Sequence, residues 1–140
     1  MAESSVVVLG GSGFVGSRLL EVWAADADRQ LVAPTHAELD VLDRDALAAF
    51  LRRTDAAAVV NLAAWADVDG AEVQCGDRSG RVYALNAALP GHLAELCGEL
   101  RKHLLHVSTD YVFDGTSAER PYAEGDPTNP LCWYAETKLA

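Results

Sequence analysis

The stretch VVVLGGSGFVGSRLL, residues 6–20, constrains this 140-residue chain more than any other. Its first four residues are apolar, mostly β-branched and without polar alternation, which predicts a short strand buried on both faces. Beyond a tight turn, Phe14, Val15, Leu19, Val22 and Trp23 recur at helical spacing. The order is strand, glycine turn, helix. Gly10, Gly13 and Gly16 form G-x-x-G-x-x-G, while Gly11, Gly13 and Gly16 form G-x-G-x-x-G. In a dinucleotide site the early glycines let the backbone touch a pyrophosphate at the amide-rich helix start, and the last lets helix and strand pack closely. An ordinary glycine-rich loop is the alternative, and the strand-before, helix-after context favours the nucleotide site.

Strand and helix signals then alternate along the chain. QLVAPT reads as a second strand, and Asp43 as the cap of a helix on which Leu47, Phe50 and Leu51 share a face. AAAVVNLAA reads as a third strand. Val82, Leu85, Leu89, Leu93, Leu96 and Leu100 step by three or four, the mark of one long amphipathic helix over residues 81–100. HLLHVSTD gives a fourth strand, and residues 70–80 and 115–130 read as loops. The pattern predicts a single α/β domain over residues 1–140, a Rossmann-like parallel sheet with helices on both faces and a ligand at the carboxyl ends of its strands.

Half the residues are hydrophobic, enough for a core, and the formal charge of −10 with a pI near 4.6 argues against a nucleic-acid backbone or an anionic membrane as partner. A small anionic ligand held by local amides stays open. No apolar run has membrane-spanning length, and MAESSVVVLGG lacks the basic start of a signal peptide, so a cytoplasmic location is expected. Cys75, Cys97 and Cys132 are odd in number and form no C-x-x-C, so neither a disulfide framework nor a metal site is expected.

Three polar clusters are of interest, and each is expected at the carboxyl ends of the strands. In NLAAWADVDGAE, Ala63 and Ala64 would let the main chain lie against a flat or sugar-like group, or serve packing alone. VSTDYVFDG places Ser108, Thr109 and Asp110 at the mouth of the fourth strand, where hydroxyls more often make local turns or caps. WYAETKLA puts Tyr134 and Lys138 one helical turn apart, a spacing common by chance. Chemistry joins them. A carbonyl reduced by hydride needs a proton at its oxygen, and a phenol with an ordinary pKa of about 10 donates poorly near neutrality. An ammonium about 5 Å away favours the phenolate by about 3 kcal/mol at an effective dielectric near 20. A threonine hydroxyl can then hold the substrate oxygen in line.

With these residues assembled, the chain resembles the extended short-chain dehydrogenase/reductase superfamily. Within it, STDYVFDG, PGHLAELC and NPLCWYAETKLA resemble the dTDP-4-dehydrorhamnose reductase family, over residues 6–140. The resemblance implies an NAD(P)-dependent oxidoreductase that uses NADPH or NADH to reduce the 4-keto group of dTDP-4-dehydro-L-rhamnose to dTDP-L-rhamnose, a polysaccharide precursor. It implies that Tyr134 donates the proton, that Lys138 lowers its pKa and holds the nicotinamide ribose, and that Thr109 and Asp110 meet the substrate. Gly10, Gly13, Phe14 and Val15 then match the pyrophosphate turn, Asp40 and Val41 the adenine pocket, and Ala63, Ala64 and Trp65 the loop under the nicotinamide. The partner implied is a nucleotide sugar, and a homodimer remains open.

Pro90 has no N–H for the carbonyl of Asn86. A water there, bridging toward Lys138, would form the proton relay that the superfamily assigns to an asparagine on this helix; a simple kink is the alternative. Near the end of the second strand stand Pro34, Thr35 and His36, neither the acid that suits NAD nor the arginine that suits NADP, so coenzyme preference stays open. The family's chains are far longer, with further strands and a C-terminal substrate domain, so a truncated reductase is expected. A non-catalytic nucleotide-binding or regulatory module, or a related sugar-nucleotide epimerase or dehydratase, is the competing reading.

Overall fold

A computed structural model describes residues 4–25, 29–117 and 119–140. Chain contacts divide it into two compact units, one of Met1–Ala64 with Ala88–Val107 and the other of Trp65–Ala87 with Ser108–Ala140.

The first unit carries the sheet. Its strands are β1 (Ser4–Leu9), β2 (Arg29–Val32), β3 (Ala56–Asn61) and β4 (His103–His106), all parallel and ordered β2-β1-β3-β4. Neighbouring residues on a strand face opposite ways, and Val7, Val8 and Leu9 are all fully buried, so both faces of β1 are covered as expected. At β4 the residues alternate between exposed and half-buried, and Leu105 is 55% exposed. Helix α1 (Phe14–Ala24) follows the glycine turn and packs on β2. Helix α2 (Arg44–Arg53) starts where expected, because the Asp43 carboxylate accepts the N–H groups of Asp45 and Ala46, and it buries Leu47 and Leu51.

The expected helix over residues 81–100 is three segments: α4 (Arg81–Tyr83), a π-helical turn (Ala84–Ala88) and α5 (Leu89–Leu100). Pro90 lies in the first turn of α5, where its missing N–H is tolerated, and the irregularity is a widened i→i+5 turn rather than a plain kink. Helix α5 buries Leu89, Leu93, Leu96 and Cys97 and ends at Arg101, which takes a left-handed φ of 54°.

The second unit corrects the reading of residues 70–80 as loop throughout. Helix α3 (Val68–Glu72) reaches into them, started by the Asp67 side chain accepting the Gly70 N–H. Three strands are shorter than read, β3 stopping at Asn61 rather than at Ala64. β2 stops at Val32, before the two residues preceding Thr35, whose N–H and hydroxyl both bond the Glu38 carboxylate. β4 stops at His106, and a 3-10 turn (Asp110–Val112) follows with Thr109 as its cap. The last element, α6 (Trp133–Leu139), packs on α3, α4 and the 3-10 turn. Ala71, Val82 and Trp133 form the core here, with Trp65, Tyr83 and Tyr134 packed around them.

Candidate active site

In the first unit the chain leaves β1 for β2 on one side, then returns to place β3 on the other. The carboxyl ends of β1 and β3 therefore frame the point where strand order reverses, the crevice in which such sheets bind ligands. Backbone crowds there. A Cβ at Gly10, whose φ is +79°, would lie 2.6 Å from the Ala63 nitrogen. One at Gly16 would lie within 2.2 Å of the Gly10 carbonyl oxygen. The Gly13 N–H closes the turn on that same carbonyl at 3.0 Å, and Leu62 N–H bonds Leu9 O at 2.9 Å. Gly13 then starts α1 with no side-chain cap, leaving the first helical amides to a ligand or solvent. Phe14 and Val15 stand beside them, 96% and 60% exposed.

Ala63 is held in this crevice by buried Asn61, whose Oδ1 accepts the Ala63 N–H at 3.1 Å while its Nδ2 lies 3.1 Å from His106 Nδ1. Asp40 is exposed, and its Oδ1 takes the Leu42 N–H at 3.0 Å, turning the chain past half-buried Val41 into α2. Gly10, Gly13, Phe14, Val15, Asp40, Val41, Ala63 and Ala64 thus all belong to the first unit.

Trp65, Thr109, Asp110, Tyr134 and Lys138 belong to the second. Thr109 Oγ1 accepts the Tyr111 N–H at 3.2 Å, so the local-cap reading of this hydroxyl holds alongside any other role. The turn it begins rests on α6, where the rings of Tyr111 and Tyr134 meet edge to face. Tyr134 is half-buried and Lys138 buried. Burial pushes the Lys138 ammonium below the ordinary lysine value. Asp110 and Tyr111 line an open groove of about 800 Å³ with Val68, Leu131 and Cys132.

Other side chains fix this cluster. Asn86, 2% exposed at the π-turn, takes the Trp65 N–H on Oδ1 at 2.8 Å and donates from Nδ2 to Trp65 O and Thr137 Oγ1. Cys132 gives α6 no side-chain cap, and the Glu72 carboxylate accepts the Trp133 N–H instead, across 61 residues. On the groove wall, Asp114 takes the N–H and hydroxyl of Thr116, the Tyr122 hydroxyl and the Asn129 amide. These bonds hold its carboxyl well below the usual carboxylate range. Tyr122 also stacks on Phe113, with ring centroids 4.4 Å apart. The sequence reading singled out the backbone of Asn86 but missed its side chain, and missed Glu72, Thr137 and Tyr111. A buried amide in an apolar helix was the one signal available for the first.

Among the described residues no His, Cys, Asp and Glu cluster of metal-binding form occurs, and no helix is long and apolar enough to cross a membrane.

Comparison with known proteins places this arrangement. The model of the RmlD substrate binding domain matches residues 4–140. The dTDP-4-dehydrorhamnose reductase of Mycolicibacterium smegmatis is 39% identical over 135 residues, covering 96% of this chain and 39% of that protein. The structure of a dTDP-4-dehydrorhamnose reductase from Clostridium acetobutylicum superposes with a TM-score of 0.86 at 28% identity, covering 96% of this chain and 46% of that one. A Bacillus anthracis dTDP-4-dehydrorhamnose reductase solved in complex with NADP gives 0.88 at 24% identity, covering 99% and 48%. The chain spans less than half the length of each of these relatives. By the extent of the match and the identity to its relatives, the chain belongs to the RmlD substrate binding domain family, that of the dTDP-4-dehydrorhamnose reductases.

Proposed function

We propose that residues 1–140 form the coenzyme-binding and acid–base part of a sugar-nucleotide reductase that acts on dTDP-4-dehydro-L-rhamnose with NADPH or NADH. The observation that carries this reading is one short helix bearing a half-buried phenol, Tyr134, and a buried ammonium, Lys138, packed on the turn that Thr109 begins. The glycine turn fits a coenzyme pyrophosphate. Side chains at Gly10 or Gly16 would strike backbone, and the uncapped amides of α1 suit an anion. When bound, a reduced nicotinamide supplies the hydride.

The chain's own residues do the rest. Gly10, Gly13, Phe14 and Val15 receive the pyrophosphate, Asp40 and Val41 the adenine end, and Ala63, Ala64 and Trp65 the nicotinamide end. Thr109 hydrogen-bonds the keto oxygen and Asp110 the sugar. Tyr134 gives its proton to the oxygen as charge develops there. Lys138 grips the ribose and stabilises the phenolate left behind, an interaction strengthened by its removal from water. The groove beside Asp110 and Tyr111 has the volume for a sugar and combines apolar walls with a few polar groups.

The test is NADPH oxidation in the presence of dTDP-4-dehydrorhamnose. Turnover that falls by at least about a hundredfold in Tyr134→Phe supports the reading; equal rates in the two proteins would sink it. A nucleotide-binding module without catalysis is the second reading, favoured by a glycine turn and uncapped α1 amides that suit a coenzyme pyrophosphate whatever the phenol does. Coenzyme binding with no turnover in the same assay would favour it.

A further inference from the structure

A hydrogen-bonded chain runs through the second unit from the backbone of Trp65 to the backbone of Tyr134. The Trp65 N–H donates to Asn86 Oδ1 at 2.8 Å, and Asn86 Nδ2 donates to Trp65 O at 3.2 Å and to Thr137 Oγ1 at 3.1 Å. The Thr137 hydroxyl in turn donates a hydrogen bond to the carbonyl oxygen of Tyr134 at 2.9 Å. Asn86 and Thr137 are 2% and 1% exposed, so water does not compete for these bonds. Every side-chain donor in this relay is used, both amide hydrogens of Asn86 and the Thr137 hydroxyl, and each of the two oxygens accepts one bond.

Neither side chain is among the groups proposed above to meet substrate or coenzyme. Yet Thr137 sits next to Lys138 and three residues after Tyr134, on a helix of 7 residues that packing rather than intrinsic propensity must hold. Rotation of such a helix by a few degrees would move both functional groups together.

We propose that Thr137 is a positioning residue: anchored through Asn86 to the Trp65 backbone and bonded to the Tyr134 carbonyl, it fixes the rotation of α6 and so the placement of the Tyr134–Lys138 pair. This rests on the reductase reading for its catalytic consequence, though not for its structural one.

Thr137→Val keeps the shape of the side chain while removing acceptor and donor together; Thr137→Ser keeps both. Two readouts are taken on the full chain. Amide exchange over residues 136–139 is expected to quicken by at least about tenfold in Thr137→Val and to stay near wild type in Thr137→Ser, the two buried hydrogen bonds that valine loses being worth that factor or more. In NADPH oxidation, Thr137→Val is expected to lower kcat about tenfold with KM for coenzyme changed less than about twofold, and Thr137→Ser to recover it to within about threefold. A chain with no turnover at all removes the reductase reading but leaves the exchange result to decide. Wild-type exchange in Thr137→Val, or a Thr137→Ser variant no better than valine in either readout, overturns the proposal.

Discussion

Tyr111 and Tyr134 meet edge to face, their ring centroids 6.0 Å apart and their planes at 87°. One ring belongs to the turn begun by Thr109, the other to α6, so the contact links the hydroxyl and the phenol proposed to share one substrate oxygen. Aromatic pairs of this kind contribute about 0.5–1.5 kcal/mol beyond area burial. Tyr111→Ala is expected to lower the rate of NADPH oxidation by about three- to tenfold, and Tyr111→Phe to leave it near wild type. Equal loss in both variants would point to the Tyr111 hydroxyl instead of its ring.

The glycines offer a test in which one substitution type has two signs. Gly16→Ala would drive a Cβ into the Gly10 carbonyl, against backbone that has nowhere to go. The overpacking cost of about 1–3 kcal/mol exceeds the gain of about 1 kcal/mol from better helix propensity. Gly91→Ala, in α5 with nothing within 4 Å of the added atom, keeps only the gain. Urea denaturation should find the first variant destabilised and the second stabilised by up to about 1 kcal/mol. NADPH affinity, read by fluorescence, should fall only in the first.

Acid should loosen the wall of the groove late. The bidentate ion pair of Arg120 with Asp126 and the Ala123 N–H hold the Asp126 carboxyl down to about 2. Its folded value lies below the unfolded value of about 3.9, so its contribution is complete above that pH and fades as pH falls toward about 2. Asp114, lowered by four hydrogen bonds, acts in the same direction. Exchange or limited proteolysis between residues 113 and 129 should therefore stay slow down to about pH 4 and quicken below it. In Asp126→Asn the share of the onset that Asp126 contributes should disappear and that of Asp114 remain, with faster cleavage already at neutral pH.

Core and edge leucines should separate cleanly. Leu93 is fully buried on α5, and truncation to alanine is expected to cost about 2–5 kcal/mol. Leu105, on the outer face of β4, is 55% exposed, and its truncation should stay within about 0.5 kcal/mol. Chemical denaturation of the two variants checks both values.

What could be read from the chain alone was what repeats or turns locally. The glycine turn, the Asp43 cap and the Tyr134–Lys138 spacing each depend on residues a few positions apart, and each appears where expected. The π-turn did not announce itself, because apolar steps of three or four tolerate one inserted residue without breaking the stripe from Val82 to Leu100. Helix α3 was hidden by its shortness and its central Gly70; it exists because Asp67 caps it and α6 packs on it. Asn86, Glu72 and Thr137 escaped for the same reason. Their partners lie 21, 61 and 51 positions away, and no local pattern encodes such pairings.

That Glu72 must complete the start of α6 has a kinetic side. The first N–H of this helix finds its partner only after a loop of 61 residues has closed, and loop closure is an entropic toll levied before any reward. Loop entropy alone ranks this bond behind the shorter-range contacts of its unit, an order that φ-values near zero at Trp133 would bear out.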